Sequence, residues 1–129
     1  DNNFKTVSEV ADLPAVGFLD VPQVVTWADT ERDLSAWTGN EMQTSALTAL
    51  YDLESSVLAA GDRHLIESWR RLQTSDHFYY MCTKWFADGD VHAYFNPYAS
   101  PYEAYIAYMN VLNDLKLRIS DFVEPTSLV

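Results

Sequence analysis

Asn40-Glu41-Met42-Gln43-Thr44-Ser45-Ala46-Leu47-Thr48-Ala49-Leu50-Tyr51-Asp52-Leu53-Glu54-Ser55-Ser56-Val57-Leu58-Ala59-Ala60-Gly61 decides the fold. Asparagine is a favoured helix N-cap and glycine a favoured terminator. Between them Met42, Ala46, Leu50, Leu53 and Val57 recur at the three-and-four spacing of one helix face. The spacing predicts a long amphipathic helix between Asn40 and Gly61. Asp62 can cap a second helix, in which Leu65, Trp69, Leu72, Asp76, Tyr79, Thr83 and Phe86 share one stripe. Ile66, Gln73, His77, Tyr80 and Lys84 form the adjoining stripe, which places His77 and Tyr80 beside Asp76. Residues 87–99, with Gly89 and Pro97, read as a loop on which Tyr94, Phe95 and Tyr98 pack down. Ser100-Pro101-Tyr102-Glu103 is the clearest helix start: serine at the N-cap, proline in the first turn and glutamate closing a capping box. The helix it opens has a face of Tyr105, Met109, Leu112 and Ile119, with Ile106 and Leu115 alongside. Three amphipathic helices without internal repeat or strand alternation predict an all-α, three-helix bundle.

Ahead of the bundle, residues 1–30 contain Pro14, Gly17 and Pro22 and hold no helical periodicity beyond a turn or two, so they read as an extended N-terminal leader. Thr30-Glu31-Arg32-Asp33 looks like the start of a short helix, with Thr30 as N-cap and Asp33 closing a capping box, ending by Gly39. The expected organisation is a leader over 1–30, a helical bundle over 31–122 and a tail over 123–129.

At 129 residues the chain has the length of about one domain. Its 48% hydrophobic content suits a folded chain with a buried core. Nineteen acids against eight lysines and arginines give a net charge of −11, which argues against nucleic acid or an anionic membrane as partner. The charge is lopsided: residues 1–62 hold eleven acids and two bases, residues 63–129 eight acids and six bases. Arg63, Arg70 and Arg71 are therefore expected to pair with the acidic first half. A lone Cys82 and the absence of a signal-peptide or membrane-span pattern fit a reducing, cytoplasmic setting. The chain begins at Asp1 rather than at methionine, which reads as a piece of a longer polypeptide.

Eleven of the eighteen aromatic residues fall between Asp76 and Tyr108. An acid on an apolar stripe is costly to desolvate unless it is paired or hydrogen-bonded. Asp76, His77, Tyr79 and Tyr80 thus read either as a ligand-binding cluster for a hydroxyl-rich molecule or as a satisfied structural acid among core rings. Asp88, Asp90 and His92 fit no metal-loop spacing and read as a polar turn, and no metal or cofactor is expected. His64 reads as a surface residue. Cys82 has no positioned His and Asn partners and no Gly-x-Ser-x-Gly turn exists, so nucleophilic catalysis finds no home. Trp27 to Asn40 is dense in indole, acid and asparagine, and suits a ligand loop or a docking loop equally.

Trp27 to Asn40, Leu72 to Met81 and Val91 to Tyr105, in that order, resemble the C-terminal part of the α-amylase-like enzymes of glycoside hydrolase family 57. In that family an incomplete (β/α) barrel carries the catalytic carboxylates and a helical bundle packs against its mouth. The resemblance implies that this chain is such a bundle, with the aspartate at position 76 facing an α-glucan or maltooligosaccharide. It implies cleft-lining roles for Trp27, Trp37, Asn40, His77 and Tyr80. His77 stands where a number of members carry tryptophan, a departure that implies a hydrogen bond in place of a stacking contact and a changed subsite preference. The motifs that carry the two catalytic carboxylates are absent from these 129 residues, so the isolated chain is expected to be inactive. Its barrel-facing surface implies self-association. The competing expectation is a non-catalytic acidic helical module that binds a partner or a carbohydrate.

Overall fold

The computed structural model describes residues 3–84 and 94–123. Among them the regular structure is all α-helix: α1 (Val7–Ala11), α2 (Ser35–Thr38), α3 (Glu41–Asp52), α4 (Glu54–Ala60), α5 (Arg63–Leu72), α6 (Ser75–Tyr79) and α7 (Pro101–Val123). The predicted bundle is present, with α3 and α4 forming its first arm, α5 its second and α7 its third. Leu50, Val57, Leu65, Trp69, Leu72, Met81, Leu112, Leu115 and Ile119 are buried between the arms.

The caps read from sequence operate at several ends. Asn40 accepts from the Gln43 backbone N–H, Asp62 accepts from those of His64 and Leu65, and Gly61 ends α4 in the left-handed conformation at φ 65°. At α7 the Ser100 hydroxyl accepts from the Glu103 N–H, while the Glu103 carboxylate reaches back to the Ala99 N–H. The predicted start at Thr30 is not used. Helix α2 begins at Ser35 instead, and its N-terminal N–H is met by the Asp33 carboxylate at 2.8 Å.

Two helices that the periodicity predicts as continuous are broken, in each case where another arm takes a backbone carbonyl. The 40–61 helix divides at Leu53 into α3 and α4: the Trp69 indole N–H donates to the Leu50 carbonyl at 2.9 Å, and the Leu53 N–H closes a tighter turn onto the same oxygen. A side chain inserted into the helical ladder is a sufficient cause of such a break. The helix capped by Asp62 stops at Leu72. The buried Tyr108 hydroxyl donates to the Leu72 carbonyl at 3.0 Å, and the Thr74 hydroxyl takes that of Arg71 at 2.8 Å. Burial pushes the Tyr108 phenol far above its ordinary value, with a smaller contribution from Tyr51. The chain then restarts as α6.

Other departures follow from these. Beyond the break, Asp76 no longer shares a face with Trp69 and Leu72; it is exposed, while Phe78 and Tyr79 are buried. On α7 the inner face is Ala104, Tyr108, Leu112, Leu115 and Ile119, with Tyr105 and Met109 partly covered and Ile106 exposed. Tyr94 and Phe95 are exposed rather than packed down, whereas Tyr98 lies against the core. The leader contains the short α1 with a Thr6–Glu9 capping box, and its residues from Asn3 to Val25 are exposed. Arg71 pairs with Glu67 on its own helix rather than with the acidic half. Thr83 is exposed, and Phe86, Asp88, Asp90 and His92 lie outside the described residues.

Gly61 isolates one backbone contribution to this fold. A methyl group added there meets nothing within 4 Å, so the only cost is the left-handed φ of 65°. Gly61→Ala is expected to destabilise the bundle by about 1 kcal/mol, read from the urea midpoint at unchanged slope.

Candidate functional site

At the end of the bundle where α2, α3 and α6 meet, three aromatic rings form a wall. Trp37 of α2 and Tyr79 of α6 lie with ring centroids 5.8 Å apart, and Trp27, from the preceding loop, stands edge-on to Trp37 at 6.0 Å and 6.3 Å from Tyr79. These separations are those of attractive tilted and edge-to-face pairs. Trp27 remains 71% exposed, so much of its ring is free to cover something else.

The wall borders a cavity of about 390 Å³ lined by Trp27, Trp37, Ser75, Asp76, Tyr79, Tyr80 and Phe95. Trp27, Trp37 and Ser75 also line a shallower apolar depression of about 430 Å³ that includes Leu34, Leu47, Tyr51 and Phe78. Asp76 occupies the first turn of α6, where the helix dipole suits a negative charge. Its carboxylate faces solvent and the cavity, and so avoids the desolvation that the apolar-stripe reading implies. Rings beside a solvated carboxylate offer an apolar face and hydrogen-bond acceptors side by side, the chemistry of a neutral polyhydroxylated ligand.

Of the residues singled out from sequence, Trp27, Trp37, Asp76 and Tyr80 are brought to one cavity. His77 is turned toward α7, with its ring 5.6 Å from that of Tyr108. It lines a separate cavity of about 120 Å³ with Tyr80, Tyr98 and Tyr108. Asn40 stands behind the site: its amide donates to the Met81 carbonyl at 2.8 Å while its oxygen caps α3.

Gln43, which sequence reasoning passes over, joins these pieces. Its side chain is fully buried, and its amide nitrogen donates to the Ala36 carbonyl of α2 at 2.7 Å and the Phe78 carbonyl of α6 at 2.9 Å. Its amide oxygen accepts from the Asn40 N–H at 3.1 Å. The available signal is its place three residues after an asparagine N-cap, where glutamine completes a capping box. Gly39 permits the tight turn between α2 and α3, since a methyl group there would collide with the Ser35 carbonyl oxygen.

The loop that presents Trp27 is closed by backbone and side-chain bonds. The Thr26 N–H donates to the Arg32 carbonyl at 2.8 Å and the Thr26 hydroxyl to the Asp33 carbonyl at 2.6 Å. Under it, Ala28, Ala36 and Tyr79 make a small buried cluster. Hydrogen bonds from the Ser35 hydroxyl and backbone N–H hold the exposed Asp33 carboxyl below the ordinary carboxylate range. Behind the opposite edge, the Asn96 amide donates to the Tyr80 carbonyl at 3.0 Å and steadies the approach to α7. Among the described residues no group of three His, Cys, Asp or Glu side chains is placed to hold a metal ion, and no helix is long and apolar enough to cross a membrane.

The chain is similar to a protein of Methanocaldococcus jannaschii described as "Putative alpha-amylase", with 36% identity over 128 residues. The match takes in 91% of this chain and 27% of the relative, so the chain spans about a quarter of the length of the protein it matches. No protein-family model matches the chain, and no solved structure does.

Removing the buried amide tests how the site is assembled. Gln43→Ala leaves the Ala36 carbonyl without its side-chain donor and weakens the capping box, and is expected to cost about 2–4 kcal/mol in chemical denaturation. At denaturant concentrations below the main transition, the tryptophan fluorescence of that variant is expected to shift to the red as α2 loosens from α6.

Proposed function

We propose that the chain is the C-terminal helical part of a retaining α-glucan hydrolase or transferase of the family 57 type, where it completes the substrate cleft of a (β/α) barrel. The observation that carries this reading is the cavity in which Trp27, Trp37 and Tyr79 stand beside the solvated carboxylate of Asp76. The likeness to a stretch of an amylase-described protein supports it, as does the family resemblance of the three segments around Trp37, Asp76 and Tyr98.

In this reading the indole of Trp27 covers the apolar face of a glucose unit and Asp76 accepts hydrogen bonds from its hydroxyls. Tyr80 closes one edge. Asn40 and His77 act from behind, Asn40 by fixing the Met81 carbonyl and His77 by sharing with Tyr80 the small cavity toward α7. The chain binds and orients. Bond cleavage belongs to a carboxylate pair of the barrel, through a glycosyl-enzyme intermediate. A net charge of −11 is no obstacle, because the ligand is neutral.

A second reading has its own observation. Phe4, Val16, Phe18 and Leu19 of the leader are each at least 88% exposed, which suits a free-standing interaction module that docks on a partner through its leader. Binding experiments separate the two. In the parent enzyme, Asp76→Ala is expected to weaken maltoheptaose binding by about 10- to 100-fold, the loss of one or two hydrogen bonds to a charged acceptor, in isothermal titration calorimetry. The isolated 129-residue chain is expected to bind weakly and to hydrolyse nothing. Unchanged affinity and activity in full-length Asp76→Ala would sink the cleft role and leave the docking module.

A further inference from the structure

The loop that carries Trp27 holds two non-glycine residues in the left-handed region, Asp29 at φ 57° and Arg32 at φ 55°. Such conformations persist where the surroundings over-determine them, and they gather at functional sites. The same loop places three carboxylates, Asp29, Glu31 and Asp33, within five residues, so its own charges favour opening. A cation from beyond α6 meets two of them. The Lys84 ammonium lies 3.1 Å from the Glu31 carboxylate, 3.5 Å from that of Asp29 and 2.5 Å from the Ser35 hydroxyl. It thereby ties the loop and the start of α2 to the chain segment that leaves α6.

Burial supports a positioning role. The Asp29 side chain is 7% exposed and that of Lys84 23%, so this pair is shielded from solvent far more than an ordinary surface ion pair. Partial burial works against the charge on Lys84, but the hydrogen bond and attraction of Glu31, together with the attraction of Asp29, more than offset it and hold the ammonium above its usual value. The loop residue Ala28 is buried against Ala36 of α2 and the wall residue Tyr79, with Trp37 packed on the same cluster. Asp29 stands two residues from Trp27 in the chain, so a clasp on its carboxylate acts close to the backbone that carries the ring.

We propose that Lys84 is a positioning residue which, by bridging Asp29, Glu31 and Ser35, locks the strained loop and so sets the place of the Trp27 ring in the aromatic cavity. The consequence for ligand affinity rests on reading that cavity as a glucan site; the clasp itself does not.

Trypsin provides a direct probe, because Arg32 sits exposed in the loop. In the 129-residue chain, Lys84→Met is expected to keep its far-ultraviolet circular dichroism and to be cut at Arg32–Asp33 about 10-fold faster, as the open population rises. Maltoheptaose affinity follows the fraction of molecules with a competent loop and is expected to fall by less than about 2-fold while the closed loop stays the majority form. Lys84→Arg, which keeps the charge and reach, is expected to restore both. The double variant Asp29→Asn, Glu31→Gln removes the clasp from the other side and is expected to reproduce Lys84→Met, since asparagine tolerates the left-handed conformation. Cleavage at the unsubstituted rate in Lys84→Met, equal acceleration in Lys84→Arg, or loss of helicity in Lys84→Met with normal cleavage in the double variant would each overturn the proposal. Faster cleavage in Lys84→Met, with no maltoheptaose binding by the unsubstituted chain or the parent enzyme, would uphold the clasp and remove the glucan reading.

Discussion

A single buried amide joins the end of the bundle where α2, α3 and α6 meet. Gln43 donates to carbonyls of both α2 and α6 while its oxygen meets the Asn40 N–H, so one side chain satisfies backbone groups of three segments in a place that water does not reach. Short helices such as α2 and α6 have little cooperativity of their own and leave many terminal groups unpaired. Buried without partners, those groups would oppose docking of either helix onto α3. With Gln43 in place the same groups become the attachment. The position of Trp37 on one short helix and of Asp76 and Tyr79 on the other follows from that attachment.

The rest of the core uses the same device. Trp69 and Tyr108 are buried rings whose polar ends take the carbonyls of Leu50 and Leu72, at the points where two long helices break. Their apolar bodies fill the bundle while their donors redirect the backbone. The second break has the larger consequence, because it turns Asp76 out of the apolar stripe and into water at a cavity edge. The desolvation cost that a carboxylate among core residues implies is thereby avoided rather than offset.

What sequence made legible, and what it did not, divides along the same line. Caps are local chemistry, and Asn40, Gly61, Asp62 and Ser100 mark helix ends where the structure has them. The breaks at Leu53 and after Leu72 depend on Trp69 and Tyr108, residues 19 and 36 positions away from the carbonyls they bond, and no local periodicity contains that information. The shared stripe of Asp76 with Trp69 and Leu72 is of this kind: it holds only if the helix continues past Leu72, and the helix ends there. Trp27, Trp37, Asp76 and Tyr80 were legible as unusual residues for a linker or a core, and they share a cavity. Gln43 and Lys84 were not, because an isolated glutamine on a helix or a lysine after one is ordinary until its partners, 35 and 49 residues away in sequence, are placed beside it.

The geometry also bears on how such a site works. Trp27 is packed by Trp37 and Tyr79 on one side and is open to water on the other, and Asp76 is likewise solvated. A ligand resting on this wall alone exchanges water for protein across one face only, so each hydrogen bond to Asp76 competes with solvent and contributes little net affinity. Under the proposed reading, an opposing wall changes both quantities together: it covers the second face of the sugar, and it lowers the local dielectric in which the Asp76 carboxylate acts. The Asp76 carboxylate, solvated at little cost in the separate chain, then gains interaction strength when the cleft is complete. A rigid loop matters more in that setting than in the open one, because a second wall can meet the Trp27 ring only where the strained backbone of Asp29 and Arg32 holds it.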